Sequence, residues 1–430
     1  MLARLLLHQN RAKVDVVVFE GEAALDFRSQ GGTLDLPEKD GQKAVREAGL
    51  WDVFQKHVRY DGEAVKFADK NYVCYVNLGG SKPGSKLSSG RPEIDRPALR
   101  EMLYRSLPGD VVRWKKRLTA VERRSDGLEL KFQDGTVDRG FDIIVGADGA
   151  WSKVRTLLSD TKPFYSGVGG YAFSIPDAAK RAPEVYKAVN RGSMFSYSDG
   201  KGFNAQQQGD GSIQVGTWFV QPEGWQGNCG HDVHDAAAAK EACSKQFADW
   251  HPFYHRCIAQ TEDKVTPRDL YMLPVGFRWE HVPGVTLVGD AAHLVRTYYL
   301  CHTCRSVYLS CTHQMTPFAG EGVNLAFMDC MKLAQAILSS AADATADAAT
   351  NTALLDKNVR AFEEDMFARA KVTQQLTFDM MNYNFFAPGG LRGNIEKYML
   401  RAMQDETGPW LTMLLTPLVY AYFFIFKLIW

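Results

Sequence analysis

The run Val285-Thr-Leu-Val-Gly-Asp290 constrains the fold of this chain more than any other stretch. An apolar, β-branched segment stopped by Gly-Asp reads as a buried strand, and it delivers a carboxylate to the carboxyl end of a sheet, where open α/β sheets bind ligands. Phe141-Asp-Ile-Ile-Val-Gly-Ala-Asp-Gly149 is a second strand that ends the same way. Both point to a Rossmann-like α/β domain with its ligand at the strand ends.

Downstream, Pro317, Gly320 and Gly322 form a turn that opens a helix through Asn324, Leu325, Phe327, Met328, Leu333 and Ala334. A helix mouth built from glycines exposes unpaired N–H groups and a positive dipole end, a seat for an electron-rich ring or an anion. Between this mouth and the Asp290 strand stand residues 295–314, roughly twenty residues where a compact site has room for few.

Near the start, Leu2, Leu5 and Leu6 give a short helical pattern, and Val14-Asp-Val-Val-Val-Phe-Glu20 reads as a parallel strand ending in an acid. In a dinucleotide-binding βαβ unit a strand and a G-x-G-x-x-G turn precede that helix, and Glu20 holds the adenosine ribose. Neither precedes it here, so the sequence reads as truncated at an internal methionine. A Gly-rich loop follows at Arg28-Ser-Gln-Gly-Gly-Thr-Leu-Asp-Leu36, then a helix over residues 42–48 and another opened by Pro92-Glu-Ile-Asp-Arg-Pro-Ala-Leu-Arg100. Strands over 111–114 and 128–132, with an Asp134-Gly135 turn, make a small antiparallel piece. Ser152, Val154 and Arg155 begin a helix. From about residue 167 to 273 the pattern alternates as in Ser212-Ile-Gln-Val-Gly-Thr-Trp-Phe-Val220, with one helix over 235–250. A long helix covers 354–380 after an Ala/Asp/Thr-rich linker at 341–352.

A length of 430 residues with 45% hydrophobic content suits two connected domains. Fifty basic residues balance fifty acidic ones, which argues against a nucleic-acid partner. Eight scattered cysteines without a secretory signal do not make a disulfide framework and point to an intracellular location. Residues 410–426 are almost wholly apolar, at the short limit for a membrane span, with Arg392, Lys397 and Arg401 upstream to meet anionic headgroups. Two placements follow: cytoplasmic, with this tail packed on protein, or membrane-associated through residues 409–430.

Taken in order, Glu20, Gly31-Gly-Thr-Leu-Asp35, Glu93-Ile-Asp-Arg96, Asp148-Gly149 with Ser152-Lys-Val-Arg155, Gly289-Asp290, and Met315-Thr-Pro-Phe-Ala-Gly-Glu-Gly-Val-Asn324 resemble the motifs of class A FAD-dependent monooxygenases, the aromatic hydroxylase family. Within it the chain resembles most the tetracycline-inactivating branch, over most of residues 1–385. The resemblance implies an α/β, Rossmann-like FAD-binding domain (1–50, 93–165 and 283–345), a β-sheet substrate domain (51–92 and 166–282), C-terminal helices (346–405) and an apolar tail (406–430). It implies that Asp35, Arg96 and Asp290 contact FAD, with Glu20 on the ribose, Arg28 beside the nicotinamide cofactor, and Asp148 and Gly149 near both FAD and NADPH. The helix mouth of Pro317, Gly320, Gly322 and Asn324 would stabilise negative charge on the reduced flavin. His293 is expected to be structural, because the chemistry is the cofactor's. The implied reaction is hydride transfer from NADPH to FAD, capture of dioxygen as a C4a-hydroperoxide, and oxygen insertion into an aromatic or polyketide-like small molecule.

The chain departs from this pattern in two places. Where the tetracycline-inactivating branch carries a glutamine, Gly169-Gly-Tyr-Ala-Phe173 supplies no carboxamide, which points away from tetracycline; Phe173, Phe195, Tyr197 and Phe203 line an aromatic pocket or fill the core. The family motif runs unbroken from Gly-Asp to the helix mouth, whereas here residues 295–314 divide it. Cys301-His-Thr-Cys304 and Cys311-Thr-His313 have zinc-like spacing. A translated intron fits better, since valine codons begin with GT and a glutamine codon can end in AG, and a real loop is the third reading. Two functions therefore stand: an active FAD- and NADPH-dependent monooxygenase, or a non-catalytic, inactive flavoprotein relative.

Overall fold

The computed structural model describes residues 1–9, 14–25, 32–80, 90–125, 127–298, 320–341 and 348–430. The chain divides into two compact units. One comprises Met1–Val58, Glu93–Phe164 and Tyr271–Gln374; the other comprises Arg59–Pro92, Tyr165–Leu270 and Gln375–Trp430. Residues 346–405, expected as helices of their own, are divided between the two.

The first unit is built on short parallel strand pairs. Val18–Phe19 pairs with Val112–Arg113, and Ile144–Gly146 pairs with Val285–Leu287, Val145 lying opposite Thr286. The strand expected over 14–20 shrinks to its last apolar residues. Residues 111–114 pair in parallel here and take no part in the antiparallel piece, which consists of Leu118–Arg124, Gly127–Phe132 and Val137–Arg139. Gly135 turns between the last two with φ 81°, a conformation open to glycine at no steric cost. The helix Leu2–His8 buries Leu5 and Leu6 and packs on the helix Gly322–Ser340. Pro97 stands in the first turn of Arg96–Arg105, where its missing N–H costs nothing. The helix expected at residue 152 reduces to one 3-10 turn, Arg155–Leu157. The long helix runs Ala348–Met381 and so takes in part of the stretch read as a linker.

The second unit is organised on a sheet of β1 (Val65–Ala68), β2 (Cys74–Leu78), β3 (Phe164–Ile175), β4 (Ser193–Ser198), β5 (Lys201–Gln207), β6 (Ile213–Val220) and β7 (Thr266–Met272), in the spatial order β7-β3-β6-β5-β4-β1-β2. Strand alternation assigns its two faces. Tyr171, Phe173, Ile175, Met194, Phe203, Ala205, Ile213, Val215 and Phe219 enter one buried cluster with Ala239, Cys243 and Phe247 of the helix Ala236–Gln246 and Phe253, Tyr254 and Cys257 of Pro252–Ala259. The helix expected over 235–250 is thus Ala236–Gln246, and Pro252–Ala259, beyond it, is one the sequence pattern did not announce. The Asp235 carboxylate caps the first by accepting from the N–H groups of Ala237 and Ala238. Pro252 starts the second, with the His251 imidazole accepting from the Phe253 N–H. The shorter helices Ala178–Arg181, Pro183–Val189 and Trp225–Asn228 were also unforeseen.

The chain ends in a helical hairpin. Gly390–Ile429 breaks at Gly408 (φ 78°, ψ 162°) before Pro409, and its second arm folds back along the first. The Arg392 guanidinium donates to the Lys427 carbonyl at 3.1 Å, and the Lys427 ammonium pairs with Glu396 at 2.8 Å.

Candidate functional site

The adjacent strands Ile144–Gly146 and Val285–Leu287 both end in glycine turns of the first unit. Gly149 has φ 76°; Gly289 has φ 59° and ψ −140°, a region closed to side chains. Asp148 accepts from the Lys153 N–H at 2.6 Å, closing the first turn, and Asp290 opens the second, half-buried, as the first residue of the short helix Asp290–His293. The buried Arg155 ties the turns together: its guanidinium donates to the Ala291 carbonyl at 3.0 Å and also to the Ala150 carbonyl. The sequence motif contains Arg155, but its reach to residue 291 has no local signal.

A buried carboxylate fixes the second turn from behind. Asp329, on the helix Gly322–Ser340, accepts from the Gly289 N–H at 3.0 Å, from His293 Nε2 at 2.5 Å and from the Arg369 guanidinium at 3.0 Å. Burial by itself raises the Asp329 carboxyl, but the charge and hydrogen bond of His293, then Arg369 and the Gly289 N–H, outweigh it and hold the group below the ordinary carboxylate range. His293 therefore braces the turn through Asp329.

The start of the same helix meets the strand Thr33–Asp35. Asn324, 1% exposed, donates its Nδ2 to the Asp35 carbonyl at 3.1 Å, and its Oδ1 is buried without a hydrogen-bond partner among the described residues. The acceptor at Asp35 decides which way this amide is turned. A Cβ added to Gly320 would lie 3.4 Å from Asp35 Oδ1, and one added to Gly41 would lie 2.7 Å from Asn324 Oδ1. Gly41 thus lets its backbone pack closely on Asn324 in the first turn of a 19-residue helix that opens at Gly322. A buried acceptor beside the positive end of a helix dipole fits an electron-rich ring that carries its own N–H donor.

The other expected residues surround this core of the site. Asp35 pairs across the strands with Glu93, and Arg96 begins the helix Arg96–Arg105, mostly buried, its N–H bonded to the Gly32 carbonyl. Glu20 follows the strand Val18–Phe19, its carboxylate accepting from the Glu22 N–H at 3.0 Å. Buried Glu22, which the motif reading passed over, forms an ion pair with Arg100. Arg28, Pro317 and the cysteine and histidine pairs between 301 and 313 lie outside the described residues. Among the described residues no three His, Cys, Asp or Glu side chains are grouped to hold a metal.

In the second unit, the sheet face opposite the aromatic cluster carries a cross-strand row: Ala172, Gly216, Asn204, Phe195 and Phe67, each opposite the next. Phe67 and Phe195 stack at 5.4 Å, while Trp218 donates its indole N–H to Asn204 Oδ1 at 2.7 Å, leaving the amide N–H groups of Asn204 to other acceptors. Gly216 makes this pair fit, since a Cβ there would come 2.2 Å from Asn204 Oδ1. Gln214 donates to Ser174 on the same face at 3.3 Å, and Ala172, Ser174, Asn204, Gln206 and Gln214 are all half-buried. β5 and β6 thus place the carboxamides of Asn204, Gln206 and Gln214 on this face. Of the four aromatic residues weighed from the sequence, Phe173 and Phe203 belong to the helix-backed core; Phe195 lies on the opposite face, as does Tyr197, which is covered by Phe385.

No family model matches the chain. Among characterised proteins it is 28% identical over 388 residues to monooxygenase penA of Penicillium thymicola, covering 81% of this chain and 83% of that one. Among solved structures it is similar to Klebsiella pneumoniae HpxO complexed with FAD and uric acid (TM-score 0.67, 19% identity, 97% of this chain and 93% of that one). It is also similar to the tetracycline destructase Tet(55) (TM-score 0.61, 14% identity, 94% and 92%). At these identities the structural likenesses establish the fold, that of the Rossmann-like FAD-binding monooxygenases.

Proposed function

We propose that this chain, whose relatives are FAD-dependent monooxygenases, is itself an FAD- and NADPH-dependent monooxygenase that hydroxylates an aromatic or polyketide-like small molecule. The observation that carries the reading is the single helix Gly322–Ser340, which meets Asp35 through Asn324 and braces the Asp290 turn through Asp329. Bound FAD would supply the redox chemistry, accepting a hydride from NADPH and activating dioxygen.

The chain's residues then bind and orient. Asp290 accepts from ribityl hydroxyls, Glu20 from the adenosine ribose, and Arg96 donates a rigid fork of N–H groups. Asn324 Oδ1 receives a ring N–H, and the helix mouth at Gly320 and Gly322 sets fixed dipoles against negative charge on the reduced ring. Asp35 lines the same corner. Arg28 serves the nicotinamide cofactor, and Asp148 and Gly149 serve both FAD and NADPH. The substrate lies on the Ala172–Gly216 floor of the second unit, its flat ring against Phe195 and a carbonyl oxygen accepting from Asn204.

A visible spectrum of the purified chain tests the cofactor part: flavin absorbance is expected, as isolated or after FAD is added. A colourless chain that FAD cannot reconstitute overturns it and favours the inactive-relative reading. NADPH oxidation and oxygen uptake with phenols that carry a ring-conjugated carbonyl, set beside their deoxy analogues, test the substrate part. The carbonyl compounds are expected to have a KM roughly tenfold lower, about the worth of one hydrogen bond.

A further inference from the structure

The second arm of the C-terminal hairpin, Gly408–Ile429, is inside out for a water-soluble helix. Toward the protein it turns Thr412, Thr416, Phe423 and Lys427, and toward the outside Leu411, Leu414, Leu418, Phe424, Ile425 and Leu428, each of these outer side chains at least 47% exposed. Only 11% of its most apolar window is buried, at a mean hydropathy of 1.7, so it is not a core helix. The inward hydroxyls return to the helix backbone, Thr412 to the Gly408 carbonyl at 2.8 Å and Thr416 to that of Thr412 at 2.9 Å. Polar groups satisfied within the helix and an apolar exterior are the opposite of the usual amphipathic arrangement and suit hydrocarbon.

We propose that this outer face rests on a lipid bilayer and makes the protein monotopic, with the arm lying along the membrane surface. Three observations choose lipid over a second copy, and lying over crossing. The exposed arc is roughly 200° wide at 100° per residue, broader than a helix pairing seam. Trp410 and Trp430, 78% and 70% exposed, stand at the two ends, and Tyr420 and Tyr422 add amphipathic rings suited to the headgroup level. The inner face stays committed to protein: Lys427 is held by Glu396 and Arg392, and Phe426 packs on Tyr75 at 5.3 Å. A crossing arm would carry those ionic groups and part of the second unit into hydrocarbon, where each costs heavily.

The inference is independent of the flavin chemistry, and its test uses the full chain with preformed phosphatidylcholine vesicles. Flotation is expected to carry the protein with the vesicles. Leu414→Glu combined with Leu418→Glu and Ile425→Glu, three exposed positions, should reduce the bound fraction by about tenfold or more while leaving the circular dichroism spectrum unchanged. Val372→Glu, an exposed apolar position outside the arm, should bind as the parent does. A peptide tag added after Trp430 should remain open to protease on sealed vesicles. Failure to float, a triple variant that floats like the parent, or a tag shielded from protease each overturns the proposal. So does a chain that ignores vesicles and forms a dimer that the triple variant dissociates.

Discussion

Two buried carboxylates of the first unit, Asp329 and Glu363, have the same kind of partner and do different work. Each is paired with a histidine and each is almost wholly shielded from solvent. Asp329 reaches a backbone N–H, that of Gly289, so its position sets the path of the turn that presents Asp290. Glu363, on the helix Ala348–Met381, reaches, among the described residues, side chains: Trp279 at 3.2 Å, Thr286 at 2.8 Å and His281 at 2.6 Å, with His281 also bonded to Asp356 at 2.9 Å. It fastens a helix to the flank of the strand Val285–Leu287. A buried ionic group that holds backbone governs geometry at the ligand side of the sheet, and one that holds side chains governs only attachment.

Removing Asp329 should break this contrast most sharply. Asp329→Ala leaves Arg369 and His293 without their buried acceptor and is expected to cost about 3–5 kcal/mol in urea denaturation, with loss of flavin from the purified protein. Gly289→Ala, at a backbone conformation closed to side chains, should cost about 1–3 kcal/mol and weaken FAD binding as measured by fluorescence titration. Glu363→Gln keeps the shape and loses charge; we expect about 1–2 kcal/mol of destabilisation with flavin content unchanged. Flavin loss equal to that of Asp329→Ala would show that the two carboxylates do not differ in the way described.

The smallest effect is one of pH, and here the two clusters have opposite signs. Burial lowers the His281 imidazole, but the hydrogen bonds of Asp356 and Glu363 and their charges outweigh it, so its folded value stands above the ordinary one. Its contribution is complete below about pH 6.5 and is lost as pH rises through the raised value. The Asp329 carboxyl is held low, so its contribution is complete above about pH 3.9 and is lost as pH falls through the lowered value. Urea midpoints across roughly pH 3–9 should lose their alkaline decline in His281→Phe and keep it in Asp329→Ala.

Much of the first unit was legible because its signals are local. The strand ends at Gly146 and Gly289, the helix mouth at Gly322 and Pro97 inside a first turn each declare themselves within a few residues. What escaped was long-range. Asp329 lies 40 residues from Gly289 and Arg155 136 from Ala291, so neither pairing leaves a periodicity to read. The second unit was legible as alternating strands, yet its short helices were missed, because four-residue helices such as Trp225–Asn228 are decided by packing and not by pattern. Alternation also separates Phe173 from Phe195 only once the register of β3 through β4 is known.

The division of the chain into interleaved segments bears on how the protein is made. The first unit draws on Met1–Val58, Glu93–Phe164 and Tyr271–Gln374, and the second on the stretches between and after them. Neither unit can complete its core on a ribosome until most of the other has emerged. The parallel pair Ile144–Gly146 and Val285–Leu287 must wait for more than a hundred intervening residues before it closes. Folding is thus postponed until the last of these segments has emerged, and the early apolar strands stay uncovered in the meantime.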